Sequence, residues 1–225
     1  MREYQSINSL TKFEGCPRCY WLSYVAGLAD EQTSPAQALG KEVHDAIKNY
    51  HLKQPKAELS EEAEKLVKVY VENVPVSRLE IAEQEFLVPF ENIATGEILS
   101  QKEMKFKGIF DGLNLKDGWI YEHKTASNYW VYADVATNIQ ATGYAYAYFK
   151  LYGKLPEGIG FSILKKNKIA CKYQPLETYR TYEDLVYFFH WVKRIVGEIE
   201  ISDFAPKQTR FNNHHRMCPY SGGKE

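Results

Sequence analysis

No apolar run in this sequence of 225 residues approaches the roughly 20 that a helix needs to cross a bilayer. Met1 to Leu10 also lacks the apolar segment of a secretory signal, so the cytoplasm is the expected compartment and no membrane contact is expected. Cysteine is scarce. Only four are present, Cys16, Cys19, Cys171 and Cys218, and without a secretory setting a disulfide framework is not their expected use. Metal ligation or plain burial remain. An excess of charge of one sign is missing too, because 28 Lys and Arg against 29 Asp and Glu leave a net charge of -1. A protein held to nucleic acid by bulk charge shows a basic excess or at least a basic patch. Local clusters at Lys102, Lys105 and Lys107, and at Lys165, Lys166 and Lys168, could supply a patch, and each reads equally well as a solvated turn. Internal repeats and low-complexity stretches are absent, so nothing marks a linker.

What is present is the composition of an ordinary folded protein, 44% hydrophobic and 25% charged. The length suits one domain over 1–225, with N-terminal helices in 1–75, a sheet and its helix in 81–175, and a C-terminal helix and tail in 180–225. Two short helices are predicted around the break at Cys16-Pro17-Arg18-Cys19. A longer helix, Ala36 to Leu52, carries Val43, Ile47 and Tyr50 on one stripe, and another, Ser60 to Asn73, has a serine cap and an acidic first turn. Strands are predicted at Glu85 to Phe90, Lys105 to Leu115 and Trp119 to Thr125. A helix from Ala133 to Tyr152 follows, then strands at Gly158 to Leu164 and Ile169 to Tyr173, and an amphipathic helix from Tyr182 to Ile199. Helices on both sides of a strand cluster predict an α/β domain whose central mixed sheet is flanked by helices.

The chemistry concentrates in Gly108 to Ala126, GIFDGLNLKDGWIYEHKTA. Asp117-Gly118 is a two-residue hairpin signal, and a tight turn there sets Leu113 opposite Glu122 and Asp111 opposite Lys124. Alternation then gathers Asp111, Glu122 and Lys124 on the face that also carries Ile109, Leu113, Leu115 and Ile120. Two carboxylates on a core-directed face repel each other and lose hydration, so they need a compensating cation and hydrogen bonds. A divalent metal is the simplest compensation, and oxygen ligands suit Mg²⁺ or Mn²⁺. Lys124 beside them could hold a phosphate oxygen or position a water. A buried ion network without chemistry is the other reading of the same three residues.

Asp, then a turn, then Glu-x-Lys on the next strand resembles the core motif of the PD-(D/E)XK nucleases. Further motifs follow in the order of their RecB-like and lambda-exonuclease-like branch. Gly40-Lys41-Glu42-Val43-His44 resembles that branch's helical motif, and Gln140 with Tyr144, on one helical face by their spacing, resembles its QxxxY motif. Ser6 to Arg18 resembles its opening helix. The resemblance implies a restriction-endonuclease-like core and a site in which His44, Asp111, Glu122 and the backbone carbonyl of His123 hold Mg²⁺ or Mn²⁺. It implies that Asp111, Glu122 and Lys124 are catalytic and that Gln140 and Tyr144 orient the DNA or the lysine. By residue type alone, His44 also reads as a core histidine and Gln140 and Tyr144 as helix-surface residues. The His123 ring points away from the triad in the expected register, and Glu85 on the neighbouring strand is expected to be structural.

Some members of this branch bind a [4Fe-4S] cluster through one N-terminal and three C-terminal cysteines. Cys16 and Cys218 resemble two of those positions, but His215 precedes Cys218 and no cysteine follows it, so no cluster is expected. Ligand types permit a structural zinc site from Cys16, Cys19, His215 and Cys218, with ordinary packing as the competing reading. The function implied is a metal-dependent DNA nuclease, an exonuclease rather than an endonuclease, in recombination, repair or phage DNA processing within a bacterial or phage-infected cell. DNA is the implied partner, with a recombination or helicase protein as a further one. Two other readings stand beside it: a catalytically silent nuclease-fold module that binds DNA or protein, and a nuclease directed at RNA.

Overall fold

Side-chain caps decide where the helices of the computed structural model begin. It describes residues 2–28, 34–55, 57–99, 104–167 and 170–205, so Lys102, Lys168, Ile169, His215 and Cys218 lie outside the described residues. Ser6 and Ser9 form a reciprocal box at the start of α1 (Ile7–Gly15). At Cys16 the backbone becomes extended, and its thiol accepts the Cys19 N–H to cap α2 (Pro17–Tyr20), which runs into a π-helical turn at Trp21–Val25. Ser34, Pro35 and Gln37 open α3 (Pro35–His51), and Ser60 caps α4 (Glu61–Asn73), whose first turn holds Glu61, Glu62 and Glu64 at the positive end of the helix dipole.

The helix expected from Ala133 to Tyr152 is two, α5 (Tyr132–Ala136) and α6 (Ile139–Tyr152). Asn138 breaks it, because its side-chain oxygen takes the Ala141 N–H at 3.0 Å and starts a new helix instead of continuing the old one. The last helix, α7 (Tyr182–Ile201), follows a Thr181 cap. Among the described residues no helix is long and apolar enough to cross a membrane.

The mixed sheet contains β1 (Tyr4–Gln5), β2 (Ile81–Pro89), β3 (Lys105–Asn114), β4 (Trp119–Ala126), β5 (Gly158–Lys165) and β6 (Lys172–Thr178). Its order is β1-β3-β4-β5-β6, with β2 antiparallel to β3 and β4 parallel to β5. β6 runs later than the expected Ile169 to Tyr173 and includes Pro175, which an edge strand tolerates because its missing N–H need not face a neighbour.

Two apolar clusters cover the two faces. α1, α6 and α7 contribute to one, around Phe106, Phe110, Ile120, Phe161 and Phe188. α3 and α4 pack Val43, Ile47, Leu66 and Tyr70 with Leu164 of β5 in the other. Successive residues of β5, Ile163 and Leu164, thus enter opposite clusters, as strand alternation requires.

Arg180 is buried without a carboxylate partner in its hydrogen-bond set. Its guanidinium donates to Thr142 and Thr178 hydroxyls and to the carbonyls of Tyr179, Val135 and Asn138, tying β6 to the ends of α5 and α6. Replacing it with Met leaves buried carbonyls without donors, so Arg180→Met should lower the free energy of unfolding by about 3 kcal/mol. Urea denaturation followed by circular dichroism measures this.

Candidate active site

The β3–β4 hairpin differs from the expected one by two residues in register. Gly112 pairs with Tyr121, Leu113 with Ile120 and Asn114 with Trp119, leaving a four-residue turn from 115 to 118. A two-residue turn of the favoured kind needs positive φ at both central residues, and only Gly118 has it, at 76°. Asn114 makes the longer turn by accepting the Asp117 N–H and donating to the Asp117 carboxylate. The error is even, and side chains repeat every two residues, so Glu122, Lys124 and Ile120 still share a face.

Alternation along β3 breaks once. Phe106 and Phe110 enter the core beneath α6, yet Leu113, three residues after Phe110, enters the same core. The switch falls at Asp111, beside Glu83, which lies between the paired positions 82 and 84 of β2 and has a φ of 56°. That left-handed conformation costs a non-glycine residue about 1–2 kcal/mol. Glu83 is ion-paired to Lys48 of α3 at 2.5 Å. The switch turns Ile109, expected in the core, outward to 42% exposure.

β2 occupies one edge of β3 throughout, so β1 and β4 must share the other. β1 pairs only with Lys105 and Phe106 and β4 only with 112–114, which leaves the edge between them open. Beyond this pairing β4 is bound by side chains in place of a strand. The His123 N–H donates to Asp111 Oδ2 at 2.9 Å, and its carbonyl accepts from His44 Nε2 at 2.8 Å. Because that carbonyl can only accept, Nε2 carries a proton, and His44 Nδ1 faces Asp111 Oδ1 at 3.5 Å.

On the other side of Asp111 the structure brings together Glu122, Lys124, Gln140 and Tyr144. Lys124 is ion-paired to Glu122 Oε1 and donates to Gln140 Oε1 at 2.9 Å. The Gln140 amide donates to Glu122 Oε1 at 2.9 Å and contacts the Tyr144 hydroxyl at 2.8 Å. Glu122 is 2% exposed, and its second oxygen, Oε2, has no hydrogen-bond partner among the described residues. A cavity of about 240 Å³, lined by Asp111, Gln140, Tyr144, Ser6, Asn8, Lys107 and Ile109 among others, opens on the gap in β3. A larger hollow of about 780 Å³ between α3 and α4 is lined by none of the expected site residues.

Burial, and then the Asp111 charge, push the Glu122 carboxyl up to about 8 against the pull of Lys124. Burial also acts to raise Asp111, but the contact with His44 and the His123 N–H hold it at about 2. His44 loses by burial and gains more from Asp111, so its pKa is raised. Burial pushes the His123 ring down to about 4 and the Tyr144 phenol well up, so both are neutral near pH 7.

The His123 ring turns to the opposite face, edge-on to Tyr70 at 5.1 Å, with neither nitrogen hydrogen-bonded to a described residue. Behind it lies a pair that sequence reasoning missed: the Tyr70 hydroxyl meets His51 Nε2 at 2.8 Å while His51 Nδ1 donates to the Val76 carbonyl. The available signal was His51 standing seven residues, two helical turns, after His44 on α3. Glu85 makes only a surface pair with Lys107 at 3.8 Å. Of the expected zinc ligands, Cys16 and Cys19 are buried in the α1–α2 corner, while His215 and Cys218 lie outside the described residues. Among the described residues no three His, Cys, Asp or Glu side chains are already gathered as a metal cage.

Solved structures share this fold, among them two at low sequence identity. One, a protein from Eubacterium rectale provisionally named an exonuclease, superposes with a TM-score of 0.63 at 15% identity, over 96% of this chain and 88% of that one. The other, SSO0001, gives a TM-score of 0.54 at 16% identity over 98% and 85%. No curated protein matches the sequence significantly. The sequence model of the PD-(D/E)XK nuclease superfamily matches residues 5–222, nearly the whole chain. The chain belongs to the PD-(D/E)XK nuclease superfamily.

Proposed function

We propose that the protein is a divalent-metal-dependent deoxyribonuclease that removes nucleotides from DNA ends, with its site at Asp111, Glu122 and Lys124. One observation carries the reading: Glu122 Oε2 is buried without a partner among the described residues, beside a second carboxylate, while Lys124 already engages the other oxygen. An orphaned carboxyl oxygen in that position fits a cation ligand, which would displace the proton that burial favours there, and a purely structural ion network would have closed it with a partner. Asp111, Glu122, His44 and the His123 carbonyl would hold Mg²⁺ or Mn²⁺, an oxygen-dominated set suited to these ions. When bound, the ion lowers the pKa of a water and neutralises charge building on the phosphate.

The side chains have separate tasks. Asp111 binds the His123 N–H through one oxygen, which fixes the carboxylate and leaves the other oxygen beside His44. Lys124 supplies a positive charge beside Glu122, where it can steady a phosphate oxygen or the attacking water. Gln140 holds that ammonium by its carbonyl and Glu122 by its amide, and Tyr144 fixes the Gln140 amide in turn. The GKEVH and QxxxY motifs and the provisional name of the Eubacterium rectale relative favour action on ends.

End-labelled linear DNA, closed-circular DNA and labelled RNA, each with Mg²⁺, Mn²⁺ or EDTA, test this. Metal-dependent loss of linear DNA alone is expected; cut circles would make it an endonuclease, and preferential loss of RNA would reassign the substrate. Lys124→Ala should keep the native circular dichroism spectrum and lose about 10²–10³-fold in rate; normal cutting by it would remove Lys124 from the mechanism.

Calorimetry gives a second expectation. A bound ion stabilises the folded chain, so Mn²⁺ should raise the melting temperature of the wild type and not of Asp111→Asn. The raised Glu122 pKa means that at pH 6 the ion must displace a proton, whereas above about 8 it need not. The Mn²⁺-induced rise should therefore grow between pH 6 and pH 9.

A further inference from the structure

The chain leaves the proposed centre at Lys124 on β4 and returns to it at Gln140 on α6, where the two side chains are bonded at 2.9 Å. The segment between them is an excursion with both ends in the site. Its first part carries Tyr129, Val131 and Tyr132, which are 54%, 61% and 63% exposed. Single exposed apolar side chains are ordinary, but three large ones within four residues concentrate apolar exposure in one short segment.

That segment is held firmly. Gln174 of β6 accepts the Trp130 N–H at 3.1 Å and donates to the Trp130 carbonyl at 2.7 Å, a two-point clamp on the backbone. The Trp130 ring packs on Phe161 at 5.9 Å. With Trp130 anchored inward, its neighbours Tyr129 and Tyr132 are presented outward. The Lys165 ammonium lies 3.9 Å from the centre of the Tyr129 ring, so a cation and an aromatic face occupy one spot.

We propose that Tyr129 and Tyr132, with Lys165, form a stacking platform for the unpaired bases of a single-stranded DNA end entering the site; this rests on the nuclease reading above. Flat rings stack on the faces of bases, and a duplex hides those faces, so the platform selects unpaired nucleotides. Such stacking also suits a chain with a net charge of -1, which has little bulk charge with which to hold a phosphate backbone. Lys165 supplies the local charge for the phosphate next to the stacked base.

The test uses the full chain in EDTA, with a fluorescein-labelled 15-nucleotide single strand, a blunt duplex and the matching RNA, read by anisotropy. Wild type should bind the single DNA strand more tightly than the duplex. Tyr129→Ala with Tyr132→Ala should weaken that binding at least tenfold, and Tyr129→Phe with Tyr132→Phe should restore it, because stacking needs the ring and not the hydroxyl. In the cleavage assay the alanine pair should raise KM and keep kcat, with an unchanged circular dichroism spectrum. Unaltered binding by the alanine pair, or a preference for duplex or RNA, overturns the platform while wild-type cutting leaves the nuclease reading standing. A wild type that neither binds nor cuts DNA overturns both.

Discussion

The arrangement depends on two carboxylates placed where a folded protein can least easily keep them charged. Glu122 is almost wholly enclosed, Asp111 stands nearby, and the ammonium paired with Glu122 is that of Lys124. The effective desolvation cost is several kcal/mol per ion, and a single lysine offsets only part of it. Each neighbour is arranged around this. Gln140 bridges the ammonium and the carboxylate, Tyr144 braces Gln140, and His44 with the His123 N–H hold Asp111 in its charged form. Glu122 Oε2 is the group that this network does not satisfy.

The backbone makes the placement possible by opening the sheet. β4 stays paired with β5 along its whole length, so its far edge is not needed to hold the strand. Pairing with β3 stops at Gly112 and Tyr121, and the groups of His123 that would have continued the ladder bind Asp111 and His44 instead. The left-handed Glu83 of β2 lies at the level where the facing of β3 reverses and stores local strain there. The α3–α4 layer supports the opening from behind, where Tyr70 and His51 close over the His123 ring.

Most of the architecture was legible because it follows from periodicity and capping: Ser60 marks a helix start, the apolar stripes mark α3 and α7, and the strands of the central hairpin read directly. The shared face of Glu122 and Lys124 survived a wrong register because the error was two residues, a whole side-chain period. The turn itself was misread because Asp117-Gly118 has the composition of a tight turn but not its backbone, and Asn114 decides between them. The exposure of Ile109 and the kink opposite Asp111 could not be read, since Glu83 is neither glycine nor asparagine, the residues that ordinarily announce positive φ. The split between α5 and α6 was visible in Asn138 but competes with a continuous apolar pattern. The His51–Tyr70 pair exists only once two helices pack together.

The central claim is that the orphaned Glu122 oxygen and Asp111 are ligands of one divalent cation. Crystals soaked in Mn²⁺ and measured at the manganese absorption edge address it directly. The account expects an anomalous peak bonded to both carboxylates and absent from crystals treated with EDTA. Fully charged soaks without a peak there, or with Mn²⁺ bound only elsewhere, would contradict it and leave Asp111, Glu122 and Lys124 as a structural ion network.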